Sequence, residues 1–340
     1  MSDTFGASLS EYGSAAQFAP AAPGDLWNAV ARAAEAGGFD MFWADHHHPD
    51  GGQLPAGEGL MTVAAAAATA TRKLTLGLVA STNRVRQVLA LARAAEVLSV
   101  LSSGRVLLGL GTGGHDRVVA AYGVPYPDRE RYRRLRESLR IFRELWSGET
   151  VSFEGEYYRT HDVYGYDIPA GGPVPIIVAG GAPAERYRGA AGHDFLCVSG
   201  SWAEAYREKL LPAVDAGADA AGRDDAFRRR VIELKSYFDA DEAAALREET
   251  FWAPLSLTAA AEHDVLDAVA EPLGADELVR EQVAKRWIVG SSPDDIAALI
   301  DPHVDAGLNY LLFHAPGQDQ DRFLDLFGEL VEERLRAVAG

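Results

Sequence analysis

The chain carries a single cysteine, Cys197, in 340 residues. One thiol cannot close an internal disulfide, so packing must hold the fold, and a reducing cytoplasm is the expected compartment. Cys197 sits in the apolar run Phe195-Leu196-Cys197-Val198 and reads as core rather than as a nucleophile. Long apolar runs are also missing. The alanine-rich stretch from Val63 to Ala70 is far too short to span a bilayer, and residues 1–13 have neither the basic residues nor the apolar core of a secretory signal. Neither a membrane anchor nor an export leader is expected. Basic residues are scarce as well: 32 Lys and Arg stand against 50 Asp and Glu, a formal charge of −18. That field disfavours nucleic acid or an anionic membrane as partner. An anionic ligand would have to meet local positive charge or helix N-termini.

What is present is apolar surface in a regular arrangement. Hydrophobic residues make up 48% of the chain, enough for a large core, and the length suits one closed α/β barrel. Short runs of Val, Ile, Leu and Phe alternate with segments of helical period, the pattern of βαβ units and a parallel sheet. Strands are expected near Phe5–Leu9, Asp40–Ala44, Leu74–Ala80, Val106–Gly109, Pro175–Ala179, Phe195–Val198, Val231–Phe238 and Tyr310–Phe313. Eight such units make a (β/α)8 TIM barrel, expected as a single domain over residues 1–340. A helix over Asp25–Ala36 has Leu26, Val30 and Ala33 on one stripe and stops at Gly37-Gly38. A second over Arg129–Trp146 has Tyr132, Leu135, Leu139, Phe142 and Trp146 on its buried face, with arginines, Glu130, Glu137 and Glu144 opposite. Two regions break the alternation. Residues 149–172 contain Val151-Ser-Phe-Glu-Gly-Glu-Tyr-Tyr158, which reads as a hairpin turning at Glu154-Gly155. Residues 241–290 are more than one helix and a loop need, and read as an insertion after the seventh strand. Excursions at the carboxyl ends of strands are where barrels build substrate pockets.

Those strand ends hold the residues that could do chemistry. The second strand runs into Asp45-His46-His47-His48. Consecutive residues on an extended chain point alternately, so three adjacent histidines do not face one ion, and no HExxH spacing adds a second cluster; no metal is expected. One histidine as general base is the stronger reading, because an imidazole titrating near about pH 6.5 suits proton transfer at neutral pH. A histidine-rich surface loop is the alternative. The fourth strand leads into Gly109-Leu-Gly-Thr-Gly-Gly114-His115-Asp116. Glycines there let backbone approach a flat or phosphorylated ligand, or serve only a tight turn, and the GxGxxG spacing is lacking. Ala179-Gly180-Gly181-Ala182-Pro183 after the fifth strand is either a helix N-terminal anion site or a simple turn. Candidate cations are Arg84, Arg86, Lys235, Lys285 and Arg286; Arg84 and Arg86, two apart, would share a side of an extended segment. Phe251, Trp252 and Trp287 are candidate pocket walls or core aromatics.

Several longer strings are specific. Leu135-Arg-Glu-Ser-Leu-Arg-Ile-Phe-Arg-Glu-Leu-Trp-Ser-Gly148 followed by Phe153-Glu-Gly-Glu-Tyr-Tyr-Arg159 resembles the luciferase-like flavin and deazaflavin oxidoreductases. Phe251-Trp-Ala-Pro-Leu-Ser-Leu-Thr258, Ala284-Lys-Arg-Trp-Ile-Val289 and Phe313-His-Ala-Pro-Gly317 resemble, more narrowly, the F420-dependent glucose-6-phosphate dehydrogenase subfamily, as do Gln17-Phe-Ala-Pro20 and Asp45-His46. The resemblance implies a barrel with insertions, usually dimeric, that holds coenzyme F420 at its mouth. It assigns His46 as the base, Asp45, Val79, Ala80, Thr82, Gly111, Gly113, Ala179, Gly180 and Gly181 to the cofactor, and Trp252, His263 and Arg286 to the substrate. Departures from the pattern accompany it. The family's glutamate after the Gly-Thr-Gly turn is Gly114 here, its tryptophan after the Asp-His motif is Asp50, and its early acidic residue is Ala16. The two phosphate-binding lysine positions read Ser201 and Glu262, which argues against glucose 6-phosphate as substrate. His115 and Asp116 are candidates for the missing acid–base pair. The expected activity is hydride transfer between F420 and an alcohol/carbonyl carbon of a sugar-like or biosynthetic substrate. The alternatives are an FMN-dependent monooxygenase, a redox-neutral F420-dependent epimerase and a non-catalytic deazaflavin-binding homologue.

Overall fold

The segment Val106-Leu-Leu-Gly-Leu110 has no polar position, and in the computed structural model every residue of it is buried. A strand that is apolar at consecutive positions needs cover on both faces, which a parallel sheet wrapped by helices provides. The structure describes residues 4–10, 41–45, 60–80, 87–112, 127–164, 172–180, 194–197, 203–220, 230–239, 288–308, 310–315 and 320–327, with the isolated positions 222, 241 and 244.

In chain order the strands are β1 (Thr4–Ser10), β2 (Met41–Asp45), β3 (Thr75–Ala80), β4 (Val106–Leu110), β5 (Thr150–Glu154) and β6 (Arg159–Tyr164). There follow β7 (Ile176–Gly180), β8 (Asp194–Cys197), β9 (Arg230–Phe238), β10 (Ile288–Gly290) and β11 (Tyr310–Ala315). Eight of them, β1, β2, β3, β4, β7, β8, β9 and β11, pair in parallel in that order. The β8–β9, β9–β11 and β11–β1 pairings close the ring. This is a (β/α)8 barrel, and its strands lie within two residues of the expected ones at every end. The expected helix at Asp25–Ala36 lies outside the described residues.

Among the described residues, the α-helices of eight or more residues are α1 (Leu60–Ala70), α2 (Val88–Leu101), α3 (Arg131–Leu145), α4 (Leu211–Ala220), α5 (Pro293–Asp305) and α6 (Gln320–Phe327). Local chemistry sets their ends. The Gln87 side chain accepts from the Ala90 amide at 2.7 Å and caps α2. Ser292 caps α5, with Pro293 in the first turn and Asp294 and Asp295 near the positive end of the helix dipole. Arg105 binds the end of α1 to the start of β4. Its guanidinium donates to the carbonyls of Ala68 (2.9 Å) and Thr71 (3.2 Å), oxygens that the helix end otherwise leaves without partners, and to that of Leu74 (2.6 Å) just before β3.

Helix α3 buries Leu135, Leu139 and Phe142, and Trp146 just beyond its end stacks on Phe142 with centroids 5.4 Å apart. Burying a side chain such as Phe142 contributes roughly 1.5–3 kcal/mol. Gly148 ends the helical run with φ +83°, a conformation that suits glycine. Glu137 departs from expectation. It does not lie on a solvated face with Glu130 and Glu144; its carboxylate accepts the amides of Glu156 (2.8 Å), Tyr157 (3.0 Å) and Tyr158 (3.1 Å).

Those amides belong to the turn of the β5–β6 hairpin, expected at Glu154-Gly155; Glu154 is instead the last residue of β5, paired with Arg159, and the turn runs from Gly155 to Tyr158. Its second arm is β6, so Tyr157 and Tyr158 are turn residues rather than strand residues. The hairpin lies in the connection from α3 to β7. It is therefore not one of the loops that follow strand carboxyl ends, and it packs on α3 rather than extending the mouth. The stretch after β9 does begin at a carboxyl end. A short strand the sequence did not announce, β10, pairs with Ser236–Phe238 of β9 where the chain returns.

Candidate functional site at the barrel mouth

Because every ring strand runs the same way, their carboxyl ends form a single mouth. Asp45 is the last residue of β2, level with Ser10 of β1. Val79 and Ala80 end β3, level with Gly109 and Leu110 of β4, and Gly111 follows directly. Ala179 and Gly180 end β7, level with Leu196 and Cys197 of β8. The described residues assigned to the cofactor therefore sit on four consecutive strands at one rim. At three adjacent ends they are small: Ala80, Gly111 and Ala179-Gly180. Positions without bulk leave room for backbone to approach a flat ring, so the rim suits a planar ligand. His46, Thr82, Gly113, His115, Asp116, Gly181, Trp252, His263 and Arg286 lie outside the described residues. So do Arg84, Arg86, Ser201, Glu262 and Lys285. Lys235 is within β9, in register with His314 of β11.

Burial pushes the imidazole of His303 below the ordinary histidine range, and its Nδ1 lies 3.2 Å from the Leu299 carbonyl oxygen. His303 stands in the last turn of α5, which leads into the amino end of β11. It is thus at the far end of the barrel from the mouth, and its shift reflects packing rather than catalysis.

Two mouth residues were not singled out from the sequence. Asp239, buried directly after β9, accepts from Arg322 of α6 through Oδ2, with Nε at 2.9 Å and Nη2 at 2.5 Å. Its Oδ1 accepts the Asp241 amide at 3.0 Å, and its own amide donates to the Gly290 carbonyl at 3.3 Å. An acid just past a barrel strand is a readable signal. Nothing in the sequence ties it to an arginine 83 positions later.

The luciferase-like monooxygenase family matches residues 10–310. The chain is 45% identical over 332 residues to a protein of Rhodococcus hoagii (strain 103S) named F420-dependent glucose-6-phosphate dehydrogenase, covering 96% of this chain and 97% of that one. Among solved structures it is similar to an F420-dependent secondary alcohol dehydrogenase in complex with an F420-acetone adduct (TM-score 0.80, 20% identity, 97% and 98% of the two chains). It is also similar to the coenzyme F420-dependent tetrahydromethanopterin reductase from Methanopyrus kandleri (TM-score 0.75, 23% identity, 96% and 98%). At such identities the two structures speak for the barrel alone. The chain belongs to the luciferase-like family, in the subfamily of sequences similar to F420-dependent glucose-6-phosphate dehydrogenases.

Proposed function

We propose that this chain is an F420-dependent oxidoreductase. It passes a hydride between the deazaflavin and an alcohol/carbonyl carbon of a sugar-like or biosynthetic substrate, and glucose 6-phosphate is a poor substrate. One observation carries the reading: the described residues assigned to the cofactor gather at one rim, where small residues at three adjacent strand ends suit a flat ring. A bound deazaflavin would supply the ring carbon that gives or accepts the hydride. The protein's part is positioning and proton transfer. Asp45 and the strand-end residues Val79, Ala80, Gly111, Ala179 and Gly180 would hold the ring system, with Thr82, Gly113 and Gly181 beside them. His46, next after Asp45, would take the proton from the substrate hydroxyl oxygen as the carbinol hydrogen leaves, the work for which a neutral imidazole is suited. Trp252, His263 and Arg286 would bind the substrate, and His115 with Asp116 would replace the acid–base function absent at Gly114. With Ser201 and Glu262 where two lysines would neutralise a phosphate, a sugar phosphate loses charge-assisted hydrogen bonds and meets a carboxylate.

The same reading includes a cytoplasmic homodimer. Among the described residues no helix is long and apolar enough to cross a membrane. Support for the dimer comes from α1 and α2. Helix α1 has no charged residue, and α2 has two, Arg93 and Glu96, which neutralise each other at 2.9 Å. The outer side of α2 exposes Val97, Val100 and Leu101 at 56%, 61% and 56%, and the Arg93 guanidinium reaches the carbonyl of exposed Tyr164. Two copies at −18 each repel over most of their surface, so a neutral apolar face is where a second copy can approach.

F420 turnover on a panel of alcohols, sugars and sugar phosphates tests the activity. Wild type should reduce F420 with a non-phosphorylated alcohol, and glucose 6-phosphate should give a kcat/KM at least about 100-fold lower. His46→Ala should cut kcat by about 10²–10⁴-fold while still binding F420. Efficient use of glucose 6-phosphate, or full activity in His46→Ala, contradicts the reading.

A further inference from the structure

β9 is the longest strand of the ring, and only part of it is ring. It pairs with β8 over Arg230–Ile232 and with β11 over Val231–Lys235. Its last residues project past both sets of partners. There, from Ser236 to Phe238, β10 takes up the pairing. Strands β9 and β10 thus make a two-stranded wall that rises from the rim where β8 has already ended.

A two-stranded ribbon gains little stability alone and needs an external tie. Asp239 provides it. This one buried residue joins three segments: through its side-chain Oδ2 the first turn of α6, through Oδ1 the Asp241 amide where the chain leaves the wall, and through its backbone amide the Gly290 carbonyl where β10 ends. Arg322 meets it with two guanidinium nitrogens on the same oxygen, a geometry that lysine's point charge cannot reproduce.

We infer that Asp239 and Arg322 are positioning residues that fix the β9–β10 wall as the substrate side of the mouth. They act on substrate binding and leave the cofactor's rim untouched. The inference rests on the mouth being the active site proposed above. The described cofactor candidates lie at the ends of β2, β3, β4 and β7, whereas the clamp joins β9, β10 and α6. Arg286, one of the residues proposed above to bind the substrate, stands two positions before Ile288 in the sequence. A tilt of the wall would therefore change substrate contacts before cofactor contacts.

The test compares Asp239→Asn, Arg322→Gln and Arg322→Lys in the full-length protein. It measures the KM and kcat of the best alcohol substrate, the F420 dissociation constant, and amide exchange at Asp239 and Asp241. Asp239→Asn and Arg322→Gln should raise KM about tenfold, leave kcat within about threefold, and leave F420 affinity within about twofold. Arg322→Lys should recover KM only in part, and exchange at the two amides should quicken in Asp239→Asn. A KM that does not move, or an F420 affinity that falls in step with it, overturns the inference, because the pair would then be inert or a general scaffold. If the wild type binds no F420, the functional reading fails by itself. The KM comparison is then made with whichever cofactor supports turnover, and unchanged amide exchange in Asp239→Asn would still remove the clamp.

Discussion

Glu137 shows what a single residue hides from helical periodicity. It lies on the polar side of α3, and a helical wheel assigns it to solvent together with Glu130 and Glu144. Glu130 fits that picture in part, accepting Arg134 one turn on at 2.8 Å. Glu137 turns instead to the hairpin and takes three amides of its turn. The partner is not on the helix, so no spacing rule along the helix could reveal it. The close approach also explains Gly155, where an added Cβ would overlap the Glu137 carboxylate and the Phe153 ring. Losing an acceptor that satisfies three amides should cost about 1–3 kcal/mol. Denaturant unfolding of Glu137→Ala should show that loss and Gly155→Ala a comparable one, while Glu144→Ala stays within about 0.5 kcal/mol of wild type. A neutral Glu137→Ala would mean that the turn holds itself. Asp239 was hidden for the same reason: the acid is visible in the sequence, its arginine partner on α6 is not.

Elements were legible in proportion to how local their causes are. β4 is buried at every position, as are Leu76–Leu78 of β3 and Ile176–Val178 of β7, so these three read as apolar runs, whereas β1 and β9 carry polar residues and were placed from the alternation of short apolar stretches with helical segments. α3 and its stop at Gly148 were equally plain, because a wide apolar stripe and a glycine end both lie within one stretch of chain. The hairpin was only half legible: Val151 and Phe153 alternate with exposed residues on β5, but β6, largely exposed, has no such pattern. β10 is three residues long and depends on pairing with β9, a fact no short window contains. The outer side of α2 carries a prediction at this scale. Val100→Asp combined with Leu101→Asp adds charge to exposed positions and leaves the barrel core intact. Light scattering should report the mass of two chains for wild type and of one chain for the variant, with an unchanged circular dichroism spectrum. A variant still twice the chain mass would place the interface elsewhere.

For the molecule as a whole, the closed ring turns scattered sequence positions into a neighbourhood. Asp45, Ala80, Gly111 and Gly180 are far apart along the chain and become rim neighbours because parallel strands bring all their carboxyl ends together. The sequence could announce each strand end as unusual, through a histidine run or a glycine cluster, but spacing alone left every one of them open between ligand site and turn. It was the family likeness that gave these residues roles. The acidic surface belongs to this scale too, since a field of −18 must be offset locally for any anionic cofactor to settle at the rim. Titrating the purified protein with F420 and, separately, with FMN, followed by fluorescence quenching, tests the central claim most directly. F420 should bind in the micromolar range or tighter and FMN far more weakly; tight FMN binding with weak or absent F420 binding would contradict it.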